Sequence, residues 1–169
     1  MHWKTRITFR ITFGAAALVA GALATPAFAA GAADRCEPAG RRTVVVALTP
    51  PSGGVAGVKI RLDYPEDAVA IPGHVDDADV KARVTDMPNG VLGVPNDEDD
   101  ALVVALVSTS ALPKGPVFTV ALDACRGAKP AGPEGFRCTV EQVSNEEGQL
   151  VDGARCTVTL RDAHEGERS

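Results

Sequence analysis

Apolar and polar residues alternate along this chain in short runs, and Gly, Pro, Asn and Asp divide the runs from one another. The clearest is VKIRLDY, where Val58, Ile60, Leu62 and Tyr64 share one phase and Lys59, Arg61 and Asp63 the other. A period of two puts one set on a buried face and the other in water, which is the pattern of a strand in a half-covered sheet. Runs of this kind, rich in Val, Ile and Thr, cover Thr43–Thr49, Val55–Asp63, Ala68–Pro72, Asp79–Thr85, Gly90–Val94, Ala101–Thr109, Pro116–Ala124, Phe136–Val143 and Ala154–Leu160. In the eighth, Phe136, Cys138 and Val140 oppose Arg137, Thr139 and Glu141; in the ninth, Cys156, Val158 and Leu160 oppose Arg155, Thr157 and Thr159. Past the first 29 residues, no stretch of ten or more carries a helical apolar period. Nine short strands with turn chemistry between them predict an all-β chain, an antiparallel-dominated two-sheet sandwich.

The first 29 residues read differently. Lys4, Arg6 and Arg10 precede an apolar stretch from Phe13 to Ala24, and Ala27-Phe28-Ala29 offers small residues at a cleavage site. This is the pattern of a signal peptide, and its apolar stretch is shorter than the roughly twenty residues a membrane span needs. The expected organisation is a signal peptide over 1–29, a leader over 30–42, a sandwich domain over 43–161 and a frayed tail over 162–169. Export implies a periplasmic or extracellular location, with no membrane span once the signal is cleaved. It also puts Cys36, Cys125, Cys138 and Cys156 in an oxidising compartment, where an even count reads as disulfides. Four cysteines allow three pairings. A zinc site would need close ligand pairs such as C-x-x-C, which the chain lacks.

Cleavage sharpens the composition. It removes three of the 17 basic residues and none of the 22 acidic ones, so the net charge moves from −5 to −8, the wrong sign for a nucleic-acid binder. It also removes Trp3, Phe9, Phe13 and Phe28, leaving Tyr64, Phe118 and Phe136 as the aromatics, with His74 and His164 as the histidines. Ser108 and Ser110 have no histidine near them in sequence to make a nucleophile. Carboxylates are plentiful, but no pattern sets two of them across a pocket. The expectation is a non-catalytic protein with no required cofactor.

Between Val55 and Gly73, VAGVKIRLDYPEDAVAIPG runs from a small-residue turn through an alternating strand ending at Tyr64-Pro65 to a short strand and a second turn. Asn89-Gly90 then precedes an apolar strand, ALVVALVSTSAL follows, Lys114-Gly115 leads into PVFTVALDA, and Asn-Glu-Glu-Gly closes a late turn at Gly148. Taken in order, these features resemble a bacterial cohesin module. The resemblance implies a nine-stranded jelly roll, related to some carbohydrate-binding modules, that holds a dockerin on another protein through the outer face of one sheet. If strand order follows the family, the ninth strand lies beside the first. That arrangement implies disulfides between Cys36 and Cys156 and between Cys125 and Cys138.

A partner surface is expected on the sixth run, which is apolar in both phases. Leu102, Val104 and Leu106 serve the core, which leaves Ala101, Val103, Ala105 and Val107 outside, bordered by Arg137, Thr139 and Glu141 if the eighth strand shares the sheet. The plainer reading of the same residues is a central strand shielded by loops, or a tolerated Ala/Val surface. The expected partner is a protein, dockerin-like or another cell-surface protein. A polysaccharide is the alternative ligand, although sugar platforms generally use exposed rings and all three remaining aromatics fall in core phase. Asp97, Asp99 and Asp100, with Asp76, Asp77 and Asp79 as a second cluster, are weak calcium candidates. They match no EF-hand spacing and read equally as solvated turns.

Overall fold

The computed structural model describes residues 36–73, 77–98 and 101–161. The signal peptide expected over 1–29, the tail over 162–169, and His74, Asp76, Asp99, Asp100 and His164 lie outside the described residues. The chain forms two antiparallel sheets packed face to face. One contains β1 (Pro38–Thr49), β3 (Val69–Ala70), β4 (Val84–Thr85), β7 (Gly115–Cys125) and β9 (Arg155–Arg161). Its order is β3-β7-β1-β9, with β4 also paired to β7. The other contains β2 (Gly57–Asp63), β5 (Val91–Glu98), β6 (Ala101–Ser108) and β8 (Arg137–Ser144), in the order β5-β6-β2-β8.

Alternation builds the core. Val44, Val46 and Leu48 of β1 and Phe118, Val120 and Leu122 of β7 face Val58, Ile60 and Leu62 of β2 and Leu102, Val104 and Leu106 of β6, all of them buried. Each such side chain contributes about 1.5–3 kcal/mol when taken from water. In β8 the alternation breaks. A bulge opposite Lys59 and Ile60 puts both Glu141 and Gln142 on the outer face and returns Val143 to the core.

Three expectations need correction. The run Asp79–Thr85, read as a strand, is the helix α1 (Ala78–Arg83) followed by the two-residue β4. Val80, Ala82 and Val84 mimic a period of two, but Asp77 caps the helix through a carboxylate that accepts from the Val80 amide at 2.9 Å, and Val80 is buried. The leader boundary also moves, because β1 begins at Pro38, inside 30–42.

The third correction is the disulfide pairing. Cys36 bonds Cys125, and Cys138 bonds Cys156, with Cα separations of 4.9 and 5.8 Å. β9 does lie beside β1, but antiparallel, so Cys156 stands opposite Leu48 at the far end from Cys36. The strand that runs past the start of β1 is β7, which brings Cys125 opposite Pro38. Cys138 and Cys156 instead join the neighbouring margins of the two sheets, since β8 and β9 are edge strands on the same side of the sandwich. Two disulfides place the chain in an oxidising, exported setting.

Candidate partner-binding face

The outer face of the four-stranded sheet is set by register. Pairing places Leu92, Val107, Gly57 and Ser144 in one row across β5, β6, β2 and β8, and an isolated bridge from Ser144 extends the row to Leu150. The next row holds Val94, Ala105, Lys59 and Gln142, with Glu141 in the bulge; then come Asn96, Val103, Arg61 and Thr139; then Glu98, Ala101, Asp63 and Arg137. β8 therefore shares this sheet with β6, two strands away across β2, and Arg137, Thr139 and Glu141 are exposed on the same face.

The two halves of this face differ in chemistry. In one, Arg61 reaches from β2 to Glu98 on β5, at 3.0 Å, while also holding Asp63 at 2.7 Å. Since β6 lies between β2 and β5, the arginine stem passes over β6. That strap accounts for an error in the expected apolar strip: Val103 and Ala101 are buried, at 4% and 0% exposure, although both are in the outward phase. Ala105 is half-buried, and Val107, beyond the strap, is 57% exposed.

In the other half the apolar side chains are open. Leu92, Val94, Val107 and Leu150 are the exposed large hydrophobic residues among the described residues, and all four fall in the two rows at this end. Leu92 and Val94 escaped the sequence reading because the expected strand ended at Val94 and its phase pointed to no particular face. Between Val107 and Ser144 the row dips at Gly57, over which the Ser144 hydroxyl leans. A Cβ there would come 2.5 Å from the Ser144 hydroxyl. The hollow, about 230 Å³, is walled by Val107, Lys59, Gln142 and Ser144. Lys59 donates to Glu141 at 2.8 Å, and the carboxylate beside it, first by hydrogen bond and then by charge, raises the lysine above its ordinary value of 10.5.

The remaining candidates are dispersed. Asp97 lies in the inward phase of β5 and accepts from the Tyr64 hydroxyl at 2.7 Å. Asp77 caps α1, and Asp79 is in its first turn. Among the described residues no group of three or more His, Cys, Asp or Glu is arranged to hold a metal ion. Tyr64, Phe118 and Phe136 are all buried, so none presents a ring to solvent.

The outer face of the other sheet is built from Thr and Arg. Thr157, Thr159 and Arg155 are exposed on β9. Arg161 of β9 meets Asp86, just past β4, at 3.6 Å, and Val45 and Thr119 in the middle of the same face are buried.

No family model, curated protein or solved structure matches this chain.

Proposed function

We propose that this is an exported, non-catalytic, cohesin-like binding module of the jelly-roll type, working in the periplasm or outside the cell. Its partner is a protein carrying a dockerin or a comparable docking element. The observation that carries this reading is the open apolar half of the four-stranded sheet's outer face, rimmed by the Arg61–Glu98 and Lys59–Glu141 pairs. An apolar centre with a polar rim is the anatomy of a protein-binding surface. The sequence resemblance to cohesins implies binding through the outer face of one sheet, and the burial of Tyr64, Phe118 and Phe136 weighs against a sugar platform.

Capture from the source organism's secretome, read by mass spectrometry, tests the proposal. The expected outcome is enrichment of a defined protein, dockerin-bearing in the leading case, that is lost when the bait carries Leu92→Asp with Val107→Asp. Retention on polysaccharide with no protein captured contradicts it.

A further inference from the structure

Resting on the reading of this face as a protein-binding surface, we propose that it also closes on a second copy of the same chain, forming a two-fold dimer. A two-fold contact requires one patch to complement itself in shape, charge and size. In shape, the terminal row runs from the projecting Leu92 and Val107, through the hollow over Gly57, to the projecting Leu150. Rotation about an axis through this row sets a projecting side chain of each copy above the hollow of the other.

In charge, Lys59, Arg61 and Arg137 are matched on this face by Asp63, Glu98 and Glu141. A two-fold axis brings a face against its own charges, so a face with net charge repels itself. Without its signal peptide the chain is −8, yet this face is neutral. The acidic residues of the nearby turn, Glu146 and Glu147, follow Ser144 at the margin and oppose close approach there through a term that salt screens.

In size, four strands about 4.8 Å apart and eight residues at about 3.3 Å give roughly 500 Å² of face per copy. Over two copies that is about 1,000 Å², the lower bound for a specific interface, so the expected dimer is a weak one.

Sedimentation equilibrium of the exported, disulfide-bonded chain from about 1 to about 200 µM, at low and high salt, is the test. The expected result is a concentration-dependent dimer that tightens with added salt. Leu92→Asp with Val107→Asp is expected to weaken association about 100-fold or more with an unchanged melting temperature, because both side chains are already exposed. Leu150→Asp, beyond the end of β8, is a second variant and is expected to weaken it in the same direction. A chain that stays monomeric at the highest concentration overturns the dimer, as does a dimer that both variants leave intact. If the monomeric chain still loses its secretome partner on the double substitution, only the dimer has failed and the binding-module reading stands.

Discussion

Arg61 shows how one side chain divides a surface. Its stem covers Val103 and Ala101, and its guanidinium joins Asp63 and Glu98, so the part of β6 beneath it is withdrawn from contact while Val107 is left open. Arg61→Ser is expected to cost about 1 kcal/mol in denaturant unfolding, more from uncovering apolar surface than from losing exposed ion pairs. Uncovered Val103 is expected to raise binding of a hydrophobic dye to the native protein; an unchanged signal would mean that something else covers it. Lys59 behaves differently. Its value is raised in the folded state, so whatever stability the Glu141 pair contributes is complete below the ordinary lysine value of 10.5 and lost as pH rises through the higher folded value. Wild type and Lys59→Met are therefore expected to show parallel stability profiles between pH 7 and 9, with convergence only above that range.

Strand by strand, the inward sets expected from a period of two in β2 and β6 are buried, as is Phe118 of β7, which falls in core phase. The alternation failed where local chemistry competed with periodicity. Around Val80, a capping aspartate three residues ahead and one buried valine made a short helix from a pattern that also fits a strand. In β8, a bulge reversed the phase at Gln142 and Val143, which no composition rule signals. The disulfides failed for a topological reason, since neighbouring strands were anticipated but their direction was not carried through to which ends meet. The candidate face was half legible: Val107 was found from the sixth run, but Leu92, Val94 and Leu150 join it only through pairing across strands. Two consequences can be measured. Asp77→Ala is expected to destabilise the fold by about 1 kcal/mol through loss of the cap. Cys138→Ser with Cys156→Ser, which opens a loop of 18 residues, is expected to cost about 3 kcal/mol by the chain-entropy estimate, and peptide mapping of the unreduced protein is expected to recover Cys36–Cys125 and Cys138–Cys156.

As a whole, the molecule is a two-sheet sandwich with two chemically different outer surfaces. The five-stranded sheet presents Thr157, Thr159 and Arg155, with Val45 buried and Ala47 and Ala121 half-buried on the same face. The four-stranded sheet seals only half of its outer face and leaves Leu92, Val94, Val107 and Leu150 open at one end. A sandwich with one open apolar half-face has a built-in direction for assembly, and the proposed partner and the proposed second copy would compete for it. The deciding measurement is a parallel secretome capture with three baits: the wild-type chain, Leu92→Asp with Val107→Asp, and Thr157→Asp with Thr159→Asp on the opposite sheet. The first and third baits are expected to recover the same protein while the second recovers none. Capture that survives the first pair of substitutions and is abolished by the second would move the binding surface to the five-stranded sheet.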